Sequence, residues 1–120
     1  MILLALVAVT PPPSPNAAPR VLATTPAQGA VVRPGPFQLT VTFDRPMARR
    51  SWSFVQSAPE TYPNCARTPA QSADGRTFTL RCVARAGRRY EIWFNRGRFA
   101  NFRSADGVPA APYRLRFSAR

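Results

Sequence analysis

PFQLTVTFDRPMARRSWSFV, residues 36–55, decides how the rest of the chain reads. Phe37, Leu39, Val41 and Phe43 alternate with Gln38, Thr40 and Thr42, so an extended backbone there has one apolar face. Pro46 has no N–H to give to a ladder, and pairing must end within Asp44-Arg45-Pro46-Met47. Alternation resumes over Ser51–Gln56, with Trp52 and Phe54 on one side. A strand that stops at proline and restarts with tryptophan predicts a corner between two facing sheets, Met47 plugging the edge of the core. Asp44 reads first as a carboxylate that stabilises this turn, and otherwise as an ion ligand.

The period of two recurs along the chain. Arg20–Thr25 is a short strand ended by Pro26 and the Ala27-Gln28-Gly29 turn, and Cys65–Gln71 is a weaker strand. Asp74-Gly75 supplies the positive φ angles of a tight hairpin leading into Arg76–Cys82. Ala86-Gly87 turns the chain into Arg89–Asn95, where Tyr90, Ile92 and Phe94 face one way and Glu91, Trp93 and Asn95 the other. A long loop, Arg96–Pro112, precedes Tyr113–Phe117, apolar inward and arginine outward. About seven short strands without a helix predict an all-β, antiparallel β-sandwich. The 14 prolines and 6 glycines suit short elements joined by turns, and 120 residues suffice for one core.

The formal charge is +12, and all 17 basic residues are arginine. Residues 1–60 carry +3 and residues 61–120 carry +9, so any basic face belongs to the C-terminal half. Guanidinium forks match phosphate and sulfate, which makes a polyanion-binding surface one reading. The other is composition, since a genome rich in G and C raises Arg, Ala and Pro together.

Residues 2–9, ILLALVAV, are too few to span a bilayer, which takes about 20 residues. They fit the apolar centre of a secretory signal, with Asn16-Ala17-Ala18 as small residues near a cleavage point. No charged segment precedes the run, which leaves a buried strand as the other reading. The expected division is a signal-like, Pro-rich leader over 1–18 and one domain over 19–120, in the periplasm or outside the cell. Cys65 and Cys82 are the only cysteines. In an exported chain an even count predicts a disulfide, and two buried thiols are the alternative. Two thiolates without histidine leave too few ligands for a metal.

Four stretches in order, PRVLATTPAQGAVV, LTVTFDRPM, YEIWFN and ADGVPAAPYRLRFSA, resemble the bacterial Ig-like domain of S-layer and other envelope proteins. That family typically shows a "P-x-x-G-A" turn, a "TF-x-x-PM" strand end and a "D-x-x-G-x-P" loop into a last strand. The resemblance runs from about Pro19 to Ser118. It implies an extracytoplasmic sandwich serving as a spacer, adhesion or accessory module, with protein or an envelope polymer as partner and no catalytic residues or cofactor. The first two motifs also resemble the periplasmic copper-resistance family. Its copper sites use histidine, absent here, and Met47 is the only internal methionine, so no copper site carries over. Cys65 and Cys82 depart from the Ig arrangement as well. They flank one hairpin, a local staple and not a bridge between sheets.

Without histidine there is no Ser-His-Asp or Cys-His arrangement. Of the five carboxylates, Asp74 and Asp106 belong to turns. Glu91, beside arginine-rich segments, is expected to stay ionised. These features predict no enzyme. The candidate binding residues lie in YEIWFNRGRFANFR, residues 90–103: Trp93, Arg96, Arg98, Phe99 and Arg103. Arginines interleaved with aromatics stack on sugars or bases while pairing with anions. The structural alternative folds Phe99 and Phe102 over Trp93. The expected function is a non-catalytic module for adhesion, envelope structure or protein interaction. The second expectation is a binder of nucleic acid, anionic glycan or lipopolysaccharide.

Overall fold

A computed structural model describes residues 14–120. The apolar run 2–9 and most of the expected leader lie outside the described residues. Among the described residues nine strands form two sheets: β1 (Val21–Thr25), β2 (Val31–Val32), β3 (Gly35–Phe43), β4 (Phe54–Gln56), β5 (Asn64–Cys65), β6 (Ala70–Gln71), β7 (Thr77–Ala84), β8 (Arg89–Phe94) and β9 (Tyr113–Ala119). One sheet has the order β1-β3-β7-β5, with β6 also on β7, and the other β2-β9-β8-β4. The expected sandwich is there. Its two layers are joined where β3 leaves the first sheet and β4 enters the second.

The differences from expectation have local causes. The strand expected over Ser51–Gln56 begins only at Phe54. Ahead of it, the Ser53 carbonyl accepts the Asn95 N–H at 3.1 Å and the Ser53 hydroxyl accepts the Asn101 N–H at 2.9 Å. A loop therefore takes those groups in place of a ladder. The segment Cys65–Gln71 splits into β5 and β6 because Pro69 between them cannot donate. A single 3-10 turn occupies Pro59–Thr61. β2, too short to show periodicity, pairs in parallel with β9, whereas every other strand pair is antiparallel.

The register of β3 on β7 sets Leu39 opposite Leu80 and Val41 opposite Phe78. Facing them across the sandwich are Tyr90, Ile92 and Phe94 of β8 and Leu115 and Phe117 of β9, all buried. Burying each such side chain contributes about 1.5–3 kcal/mol. Phe102 is fully buried although it comes from a loop, which corrects the alternative that laid it over Trp93. Its ring lies 5.1 Å from Phe43, 5.0 Å from Phe54, 5.0 Å from Phe78 and 6.1 Å from Phe94. It joins the two sheets at one end of the core.

The Asp44–Met47 corner is built as expected. Met47 is buried, its N–H donates to the Gly75 carbonyl at 3.0 Å, and its carbonyl accepts the Gln71 side-chain amide at 3.1 Å. Gly75 has φ 78°, and a Cβ there would come within 3.4 Å of the Met47 backbone, so glycine serves both turn and packing. Asp44 accepts the Arg20 N–H at 3.2 Å and two bonds from the Arg45 guanidinium at 2.9 and 3.2 Å. Desolvation at the corner pushes its pKa up, but these donors outweigh it and hold the carboxyl below its ordinary value. The same guanidinium donates to the Ser14 and Ala17 carbonyls at 2.9 and 2.6 Å, fastening the incoming chain.

Cys65 and Cys82 are disulfide-bonded and are direct cross-strand partners on β5 and β7 of one sheet. The bridge ties a two-residue edge strand to the sheet's centre. Its sequence separation of 17 implies about 3 kcal/mol by loop-closure entropy.

Candidate binding surface

Strand alternation turns Arg89, Glu91 and Trp93 of β8 and Arg114, Arg116 and Ser118 of β9 to the outer face, the three arginines exposed and the others half-buried. The antiparallel register sets them in three rungs: Arg89 with Ser118, Glu91 with Arg116, and Trp93 with Arg114. At the Trp93 rung, the guanidinium of Arg96 lies 5.0 Å from the indole centroid and that of Arg114 lies 5.7 Å away. The indole therefore already stacks against cations. At the Glu91 rung, the carboxylate accepts from Arg116 Nε at 2.7 Å and lies 3.6 Å from Arg114 Nε.

Ser57, from the loop after β4, ties the rungs together. Its hydroxyl donates to Glu91 Oε2 and accepts from Trp93 Nε1 at 3.1 Å. The Arg96 guanidinium reaches the same oxygen at 3.5 Å. The Ser57 bond first, and the Arg116 bond second, hold the Glu91 carboxyl below its ordinary value. The expectation that Glu91 stays ionised among arginines agrees with this geometry.

Of the residues expected to bind, Trp93 and Arg96 are brought together. Arg98 and Phe99 form a separate pair, the guanidinium 5.0 Å from the ring centroid, on a tight turn closed by mutual backbone bonds between Arg96 and Phe99. Phe99 stays half exposed and lines a groove of ≈ 700 Å³ with Trp52, Tyr62 and Arg67, between the free sides of β4 and β5. Arg103 donates to Ser51 Oγ at 3.3 Å and Asn101 Oδ1 at 3.5 Å, behind the corner.

Asn95 corrects another expectation. Alternation predicts it on the outer side with Trp93, but φ is 63° and the side chain turns inward to 1% exposure. Its amide donates to the Phe102 and Ala110 carbonyls at 2.8 and 3.0 Å and accepts the Phe102 N–H at 2.9 Å. Asparagine adopts this backbone region more readily than most residues, and its three bonds hold Phe102 in the core. Arg89, Arg114, Arg116 and Ser57 escaped the sequence reading as members of a surface. The arginine-outward pattern of Tyr113–Phe117 pointed to two of them, but nothing local reveals Ser57.

The carboxylates are engaged separately. Asp44 holds the corner and Glu91 the rungs, while Asp74 accepts from Ser72 Oγ at 2.5 Å and from the Arg76 N–H at 3.1 Å. The Ser72 bond comes first among the causes that lower the Asp74 pKa. No group of three or more potential metal ligands occurs among the described residues.

The sequence model of the family described as "Bacterial Ig-like domain" matches residues 15–119. Among solved structures, domains 1-6 of the surface layer protein SbsC are similar with a TM-score of 0.55 and 16% identity, over 84% of this chain and 13% of that one. A crystal structure of the S-layer protein rSbsC(31-844) gives a TM-score of 0.55 and 16% identity, over 85% and 14%. This chain thus spans about one seventh of the solved chains it resembles, and the likeness concerns the fold. No significant match is found among curated proteins. With the family pattern spanning almost every described residue, the chain belongs to the bacterial Ig-like domain family.

Proposed function

We propose that this domain is a non-catalytic, extracytoplasmic module of a bacterial envelope or secreted protein, working in adhesion, envelope structure or protein interaction. The observation that carries the reading is the family match over 15–119 on a sandwich whose Asp44, Asp74 and Glu91 are engaged separately, in a corner, a turn and an ion pair. The disulfide suits an oxidising compartment, and the solved chains of similar fold are surface-layer proteins. The apolar run 2–9 is the export signal in this proposal, with the domain over 19–120. Fusing residues 1–120 to a reporter active only outside the cytoplasm tests it. Active reporter supports export, and reporter confined to the cytoplasm in soluble form defeats it.

A second reading, binding of a polyanion, is favoured by the charge balance. Only Arg45, Arg114 and Arg116 form ion pairs among the described residues, so most of the arginine charge is uncompensated. Retention on immobilised heparin should fall steeply with salt. Arg96, Arg98 and Arg103 to Gln together should reduce that slope, and salt-indifferent retention would remove the reading.

A further inference from the structure

We infer that the outer face of the β2-β9-β8-β4 sheet is a linear subsite for an anionic glycan, a polysaccharide that carries pendant sulfate groups on a backbone of hydroxyl-bearing sugars. The inference rests on the polyanion reading above and gives it a place and a ligand class. Arg89, Arg116 and Arg114 stand at successive rungs, and the Arg96 guanidinium joins Arg114 over the Trp93 indole. Rungs two residues apart are spaced by roughly 6.6 Å, so the row from the Arg89 rung to the Trp93 rung extends about 13 Å. That is a track for an extended polymer, long and shallow.

The track is not uniformly cationic. Glu91 sits in its middle, held by Ser57, Arg116 and Arg114. Between Arg89 and Arg116 lies a depression of ≈ 430 Å³ whose lining includes Gly29, Thr61, Glu91 and Ser118. A carboxylate flanked by hydroxyls accepts hydrogen bonds from sugar hydroxyls, while the arginines on either side take the anions. A phosphodiester chain would set a negative charge at every step, including the one over Glu91. Single-stranded nucleic acid also needs open aromatic faces for its bases. Trp93 is the one aromatic on the track, and arginines stack against it. Both features favour the glycan.

The test titrates the full chain with a heparin decasaccharide, and with an oligothymidine of equal charge, across a salt series. Arg89→Gln/Arg116→Gln removes two track charges. Arg20→Gln/Arg81→Gln removes the same charge from the other sheet's side. Thermal melts of both double variants confirm folding. The expected result is heparin binding on the order of ten-fold weaker in the track variant, with a salt slope lower by about two, and less than about two-fold change in the other. Equal loss in both variants overturns the track while leaving polyanion binding intact. Absence of salt-dependent heparin binding in the unmodified protein defeats the polyanion reading itself. Oligothymidine binding as tight as heparin, and equally dependent on Arg89 and Arg116, overturns the glycan assignment.

Discussion

The two outer faces of the sandwich obey the same alternation and end in different chemistry. On the sheet built around β3 and β7, the outward residues include Gln38, Thr40, Thr42, Thr77, Thr79 and Val83, with Arg81 the one charge on these two strands; Thr42 and Thr77 pair through their hydroxyls at 3.0 Å. On the sheet built around β8 and β9, the same pleat exposes Arg89, Glu91, Trp93, Arg114 and Arg116. Threonine is a β-former that packs on a pleated surface and satisfies itself locally. Arginine, glutamate and tryptophan in the equivalent places also pair across the strands, but they leave net positive charge at the surface. The first face is thus satisfied within the fold, and the second carries the charge on which the proposed binding rests.

The most damaging test attacks what the two faces share. Phe102 touches Phe43 and Phe78 from one sheet and Phe54 and Phe94 from the other. Phe102→Ala should cost about 3–5 kcal/mol in denaturant unfolding. Trp93 fluorescence and circular dichroism should lose their signals together. Separate transitions would show that the sheets are independent units and that the comparison joins two different things.

Next comes the bridge confined to the threonine face's sheet. Cys65→Ala/Cys82→Ala should lower unfolding free energy by about 3 kcal/mol, leaving heparin affinity of the folded protein unchanged. A parallel loss of affinity would break the division between the faces. Asn95→Ala should cost about 1–3 kcal/mol, because the Phe102 N–H and two carbonyls lose buried partners. Asn95→Gly, which keeps the positive φ, should recover only part of that in the same unfolding assay.

The smallest effect is the acid response. The Glu91 carboxyl is held below its ordinary value by Ser57 and Arg116. Its contribution is therefore complete above the unfolded value of about 4.3 and fades as pH falls through the lower folded value. Asp44 and Asp74 behave alike. Melting temperature should drop below about pH 4, less so in Glu91→Gln. Heparin affinity of the unmodified protein should fall over the same interval, as protonation weakens the acceptor that sugar hydroxyls use and that orients Arg114 and Arg116. An affinity that rises there would mean that Glu91 only dilutes the charge of these arginines.

Much of the fold was legible because it is written with period two. Phe37–Phe43 declared its inward face, Pro46 ended the strand, and Asp74-Gly75 announced the hairpin. Cys65 and Cys82 announced their pairing. What escaped lacks a period. Val31-Val32 is too short to alternate, and its parallel partner lies at the far end of the sequence. Phe102 enters the core from a loop, and Asn95 reverses its side chain by one dihedral. The candidate surface was half legible for the same reason. Trp93 and Arg96 are near in sequence, but Arg114 and Arg116 reach them only through the β8–β9 register across the loop 95–112. Ser57 arrives by tertiary contact alone.

The parallel pairing of β2 with β9 has a mechanical consequence. The chain comes in beside Asp44 and Ala111 at one end of the sandwich, where the Ala111 N–H meets the Pro19 carbonyl at 2.9 Å. It finishes at the other, where the Arg120 N–H meets the Val32 carbonyl at 3.1 Å. A pull on both termini draws β9 forward while β1 holds β2 back, so the two neighbours slide in opposite directions. The bonds from Gly29 to Arg116, Ser118 to Ala30 and Arg120 to Val32 then carry tension at once. They are sheared as a group, not unzipped singly, although β2 itself is only two residues long.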